Sequence, residues 1–200
     1  ELRTLVTDSA PACLAAFAMA PAATFVVSAI FRHPQGATEA GGYGAALQAF
    51  SAAMVIPSIL TQYALPQLAK FATEDANGTL IIRDLAVRYA ALALGCTLLI
   101  ALPVVLFARE ILSMLGQQYE TYVLELRIMM VAAVVAAPQG VFSNYLLARG
   151  RHWVRATTAW AWPLVVVLIL WDRAPSAADA AFASFWAWLA LSVLRAGMFI

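Results

Sequence analysis

Uncharged polar side chains gather in two places along an otherwise apolar chain. One group holds Gln48, Ser51, Ser58, Thr61, Gln62 and Tyr63; the other holds Gln139, Ser143, Asn144 and Tyr145. Amides and hydroxyls of this kind can grip a neutral, hydroxyl-rich ligand such as a glycan, because they offer donors and acceptors without charge. In hydrocarbon they are costly unless they find partners or face a wet cavity. Hydrogen bonding between helices would account for each one singly, at about 0.6 kcal/mol per contact. Two stretches furnished alike point instead to a shared polar cleft, with Gln48, Gln62 and Asn144 as candidate lining residues. Gln48 and Gln62 stand fourteen positions apart, about four turns, which puts them close to one face of a continuous helix. Arg127 at one mouth of the cleft, and Arg88 or Arg195 at the other, are the candidate charges for a substrate.

Other chemistry is missing from the pattern. No set of His, Cys, Asp and Glu has metal-ligand spacing. No glycine loop precedes a Lys and Ser/Thr as a phosphate cradle would, and no Ser, His and Asp can be placed together from spacing. The sequence points to binding rather than catalysis, with no metal or cofactor. A basic stripe with interleaved aromatics, the footprint of a nucleic-acid binder, is also missing.

The elements that must position these residues are six apolar runs. No charged residue falls between Asp8 and Arg32, Glu39 and Lys70, Arg88 and Arg109, Arg127 and Arg149, Arg155 and Asp172, or Asp179 and Arg195. The first four runs are about 20 to 30 residues long, enough for a helix to cross ~30 Å of hydrocarbon. The last two are about 15 to 16 residues and span if the flanking arginines reach toward water. Composition agrees: 64% of residues are hydrophobic and 12% charged, against about 25% charged in a soluble domain, and the mean hydropathy is +0.82. The expected fold is all-α, a polytopic membrane bundle of six helices over residues 8–31, 42–69, 86–108, 122–148, 153–171 and 179–200, forming a single unit over residues 1–200. Cys13 and Cys96 lie in apolar runs and read as small core residues rather than a disulfide. The chain opens on Glu1, shows no signal peptide and ends inside an apolar run, so it reads as part of a longer membrane protein, with another bundle before it.

Lys and Arg in the loops set the orientation. The connection after the second run carries Lys70 and Arg83, and that after the fourth carries Arg149, Arg151 and Arg155. These two are the most basic and are expected in the cytoplasm; His33 and His152 then fall on opposite sides. Trp153 and Trp171 bracket the fifth run 18 residues apart, roughly 27 Å along a helix, as interfacial Trp anchors do. Pro57, Pro66, Pro103, Pro138 and Pro163 stand inside runs, where each removes a donor and tends to kink the helix. Ala45, Ala49 and Ala53 repeat every four residues, a spacing that lets helices approach closely. His33-Pro34-Gln35-Gly36, Glu74 to Gly78 and Ala174-Pro175-Ser176 read as turns.

The order of short motifs resembles a known family. Gly42-Tyr43-Gly44-Ala45-Ala46 opens the second run and Leu65-Pro66-Gln67-Leu68 closes it; Leu102-Pro103 lies in the third. Arg109-Glu110-Ile111-Leu112-Ser113-Met114-Leu115-Gly116-Gln117-Gln118-Tyr119 follows, then Leu126-Arg127-Ile128, then Leu147-Ala148-Arg149-Gly150-Arg151. This succession, over nearly the whole chain, resembles the C-terminal half of bacterial polysaccharide flippases, the lipid-linked oligosaccharide branch of the multidrug/oligosaccharidyl-lipid/polysaccharide exporter superfamily. The resemblance implies two six-helix bundles around a central cavity in the bacterial inner membrane, and alternating access. It implies transport of an undecaprenyl-diphosphate-linked glycan to the periplasmic leaflet for polysaccharide biosynthesis. The partners implied are that glycan, membrane lipids and the N-terminal bundle. It also leads one to expect cations in the cavity. This sequence departs there: Arg88, Arg127 and Arg195 all sit toward helix ends, where Arg anchors at headgroups.

Three other readings stay open. A drug or cation antiporter of the same superfamily would favour an acidic residue at depth, and only Asp8 and Glu125, near helix ends, offer one. A membrane scaffold would scatter its polar residues. A membrane-embedded transferase would need catalytic residues, and none is visible. The charge bias makes the topology testable: in a Cys13/Cys96-free background, a single cysteine near Asn77 or at Arg151 should resist an impermeant thiol reagent in intact cells, while one near Gln35, Gln118 or Ser176 should react. Labelling at position 151 would reverse the assignment.

Overall fold

The structure, a computed structural model, describes residues 10–11, 13–14, 22–72, 76–171 and 174–197, and every regular element among them is helical. Helix α1 covers residues 22–30. Then come α2 (Gly36–Ala53), α3 (Val55–Ala72), α4 (Ala76–Leu106) and α5 (Ala108–Leu115). A 3-10 segment (Gln117–Tyr122) leads into α6 (Val123–Ala136), followed by α7 (Gln139–Ala148), α8 (His152–Ala159), α9 (Ala161–Leu170) and α10 (Ala177–Gly197). Four stretches are long and apolar enough to cross a membrane, or five if the bent pair α2–α3 counts as one. They fall where the apolar runs predicted them. Residues 8–31, expected as a first span, are helical where described, and the rest of that span, Asp8 included, lies outside the described residues.

Three of the prolines coincide with breaks. Pro57 sits just inside α3, and α2 and α3 bend by 40° at Met54. Pro138 separates α6 from α7, and Pro163 follows the break at Trp160 between α8 and α9. Each ring lacks an N–H and crowds the carbonyl four residues back, so the ladder parts there. Pro66 and Pro103 lie within α3 and α4 without interrupting them. The bend corrects one expectation: Gln48 and Gln62 are on different helices, so a shared face cannot be read from their spacing. A second correction is α4, which begins at Ala76 rather than in the region of residue 86. The Asn77-Gly78 signal does not act as a turn; the helix continues through it, and the Asp84–Arg88 pair, 2.7 Å apart, lies two turns in rather than at the start.

Helix ends that do terminate use side chains and glycine. Gly150 has φ 67°, and the N–H groups of Gly150 and Arg151 donate to the carbonyls of Leu147 and Leu146 at 3.0 and 2.9 Å. This is a Schellman close, which needs a residue free to adopt the left-handed region. At the start of α10, Ser176 Oγ accepts the Asp179 N–H at 3.3 Å and Asp179 Oδ2 accepts the Ser176 N–H at 3.0 Å, a reciprocal capping box. Glu39 Oε2 accepts the Ala177 N–H at 2.7 Å, tying α2 to the same helix end.

The main core lies where α10 packs on α6 and α9, and α2 on α6. The buried face of α10 carries Ala177, Ala180, Ala181, Ala183 and Ala187, so helix axes approach closely. A smaller core joins α3, α4 and α7. Of the alanine repeat on α2, Ala53 is buried and Ala45 and Ala49 are half-buried. Both cysteines are free; Cys96 is half-buried, but Cys13 is exposed, so the expectation of a core position fails there. The outward face of α4 is a row of exposed leucines, Leu98, Leu99, Leu102 and Leu106 among them. That surface is compatible with a membrane protein.

Glycine marks two close contacts. A Cβ at Gly42 would run into the Tyr122 ring, and one at Gly140 would lie 2.5 Å from Thr61 Oγ1 and 2.9 Å from Thr61 Cγ2. Thr61 cannot yield easily, because its hydroxyl donates to the Pro57 carbonyl at 2.8 Å. Gly140→Ala should therefore lower stability by about 1–3 kcal/mol through overpacking of α7 on α3. Gly95→Ala, where a Cβ meets nothing within 4 Å, should not. Thermal unfolding of the two variants in detergent compares them directly.

Candidate functional site

The polar residues of α7 do not line one open cleft with those of α3. Asn144 is 8% exposed, and its Nδ2 donates to the Thr61 carbonyl at 2.7 Å. It joins α7 to α3 as an interhelical bond, the packing role that the sequence left open. Gln48 and Gln62 are both exposed, on either side of the α2–α3 bend, and no hydrogen bond among the described residues fixes either amide. Arg127 is exposed and its Nε donates to the Val105 carbonyl at 3.2 Å. That carbonyl lies in the last turn of α4, where helices leave acceptors unsatisfied. Arg88 is exposed and paired with Asp84. The five candidate lining and charge residues are thus dispersed rather than brought together.

A different group does converge, where the last turns of α10 meet α7 and α8. Gln139 Nε2 donates to Ser192 Oγ at 2.5 Å. Ser192 Oγ lies 2.8 Å from the Trp188 carbonyl and 3.2 Å from the Val135 carbonyl. The Val135 carbonyl is one of those released by the break at Pro138, and it shares the single Ser192 proton with the nearer Trp188 carbonyl. Arg195 then closes the group: its Nη1 donates to the Gln139 carbonyl at 3.2 Å and its Nε to Thr158 Oγ1 at 3.4 Å. The Gly150 turn brings α8 back alongside α7, so Arg155 Nε reaches Ser143 Oγ at 2.9 Å.

Arg195 is 7% exposed, and with Glu125 it is one of two buried charged side chains among the described residues. Among the described residues no carboxylate pairs with it; the Arg88–Asp84 and Arg109–Glu120 ion pairs are elsewhere. Another guanidinium, Arg155, is close enough for the two positive charges to act on each other. The Nη2 of Arg195 and both terminal nitrogens of Arg155 make no hydrogen bond among the described residues. Gln139 Oε1 is also buried without a partner. A buried cation without a counter-charge costs several kcal/mol. Two guanidiniums with donors to spare match the oxygens of a phosphate or carboxylate.

Sequence reasoning had Arg195 as a candidate charge at the cleft mouth or, because it stands near a helix end, as an interfacial anchor; it did not place it in a buried cluster. The signal that could have placed it was the i,i+3 pair Arg155 and Thr158 on a helix returning past Gln139, directly after Pro138. Among the described residues no group of His, Cys, Asp and Glu could hold a metal ion. No family model, no curated protein and no solved structure matches this chain.

If Arg195 is held for a ligand rather than for the fold, its removal should not weaken the protein. Arg195→Met, which keeps the stem and removes the unpaired charge, should leave the melting temperature unchanged or raise it, by the equivalent of up to about 1–4 kcal/mol. Loss of several degrees in differential scanning fluorimetry would mark the arginine as structural.

Proposed function

We infer that this chain spans the bacterial inner membrane and forms one bundle of a transporter, not an enzyme. Its substrate is an undecaprenyl-diphosphate-linked oligosaccharide, moved to the periplasmic leaflet for polysaccharide biosynthesis. The observation that carries the reading is Arg195, buried and unpaired beside Arg155 in a polar knot of α7, α8 and α10. A diphosphate headgroup is the counter-charge that such a pair lacks. The long apolar helices with outward leucines support the membrane assignment, and the motif order of the sequence supports the substrate. By loop charge, the Arg155–Arg195 end faces the cytoplasm, where the lipid-linked precursor would load. Arg88, Gln48 and Gln62, exposed on the bundle, then face either lipid or the N-terminal bundle.

A second reading has one observation in its favour. Glu125, in the first turn of α6, is 7% exposed, and its Oε2 has no hydrogen-bond partner among the described residues. A buried, unpaired carboxylate is what a drug or cation antiporter of the same superfamily would use. The two readings separate by mutation in the full-length protein. Glycan transport predicts that Arg195→Gln with Arg155→Gln abolishes surface polysaccharide at normal protein abundance, with lipid-linked precursor accumulating. Antiport predicts that Glu125→Gln abolishes proton-coupled cation or drug efflux while the arginine pair is dispensable. Normal export by the arginine double variant would remove the glycan reading.

A further inference from the structure

A pocket of about 180 Å³ lies between α1, α2, α6, α9 and α10, apart from the arginine pair and with no charged residue in its wall. An apolar cavity of about 150 Å³ is enough to hold benzene, so this one has room for a substituted ring. Three of its wall residues form a run of aromatic faces. Phe50 stacks on Trp188 with ring centroids 6.0 Å apart and planes at 26°, and Trp188 meets Trp162 at 5.9 Å and 49°. Such a wall favours a flat guest, because offset stacking adds to area burial.

The polar groups in the wall select further. Trp162 is 7% exposed, and its Nε1–H is buried with no acceptor among the described residues. Buried indole N–H groups ordinarily find a partner. Tyr43 Oη and Ser184 Oγ lie 3.1 Å apart, in mutual contact. Two hydroxyls hold two protons and their shared bond uses one, so one O–H is left to donate. The pocket thus has one hydroxyl donor to spare, no charge and an aromatic lining. That combination suits an oxygen acceptor on a neutral ring and penalises an ion.

The geometry points to a binding site for a neutral ring compound carrying a carbonyl group, an aromatic ketone or a quinone. The ring lies against Phe50, Trp188 and Trp162, and the carbonyl oxygen accepts from the Tyr43–Ser184 pair. This site is separate from the arginine pair and stands whatever that pair binds.

The test uses the full-length protein in lipid nanodiscs and two probes of one shape, 4-fluoroacetophenone and 1-ethyl-4-fluorobenzene, followed by fluorine NMR against empty discs. The ketone should bind saturably and about tenfold more tightly than the hydrocarbon, the worth of one added hydrogen bond. Tyr43→Phe with Ser184→Ala keeps the ring and removes both hydroxyls, and should reduce that preference to near parity. Tyr43→Phe with Ser184→Val is the second such variant, should the first fail to fold, and should reduce it in the same way. Ala23→Phe, at an exposed position of the wall, should block both probes. Equal affinity for the two probes in the unaltered protein, no saturable binding above empty discs, or full ketone preference in both donor-deleted variants would each overturn the site.

Discussion

Inside an apolar bundle, a backbone carbonyl released by a broken helix has no water to turn to, so its donor must come from the chain itself. Much of this structure follows from that constraint. The break at Pro138 frees the Val135 carbonyl, and Ser192 of α10 lies against it. Arg195, also of α10, donates to the Gln139 carbonyl just past the same break. In the bent α2–α3 pair, Asn144 of α7 donates to the Thr61 carbonyl. Side chains of neighbouring helices thus reach backbone carbonyls at the Pro138 break and elsewhere along the bent helices.

That logic separates two kinds of buried polar residue. Asn144 and Ser192 are neutral groups that bond to carbonyls. Arg195 satisfies one carbonyl and one hydroxyl, yet brings a full charge where a serine or an amide would have sufficed. The surplus charge, with Arg155 beside it, is what the fold alone does not require. Glu125, buried with an unpartnered oxygen in the first turn of α6, carries a smaller surplus of the same kind.

The helical architecture was legible because charge-free length is a direct consequence of crossing an apolar layer, and the four or five stretches long enough to span among the described residues fall on the later five of the six runs. What length cannot register is hydrogen bonding. The ladder of α4 runs ten residues past the expected start of the span, since a helix need not stop where its charges begin. Nor does a run of uncharged residues reveal a 40° bend, although Pro57 marks it in retrospect. The site was less legible for a related reason. Gln48, Gln62 and Asn144 were grouped by polarity, but polarity does not say whether an amide is exposed, as in the first two, or already bonded, as in Asn144. Arg195 was named as a charge at the cleft mouth, but its burial was not legible, because distance from a helix end measures depth along one helix, whereas burial is made by the others.

The alanine face of α10 has a mechanical consequence. Alanine freezes no rotamer on burial and presents no knob to interlock. A displacement of α10 by one turn, about 5.4 Å, would seat alanine or serine where alanine sat, from Ala177 through Ala180 and Ser184 to Ala187. The contact surface therefore fixes the distance of α10 from its neighbours but hardly its axial register. That register is held at discrete points: Glu39 on the Ala177 N–H, Tyr43 on Ser184, Gln139 on Ser192, and Arg195 on Thr158 and the Gln139 carbonyl. A ligand that competes for any of these groups changes how firmly the helix is pinned along its own axis.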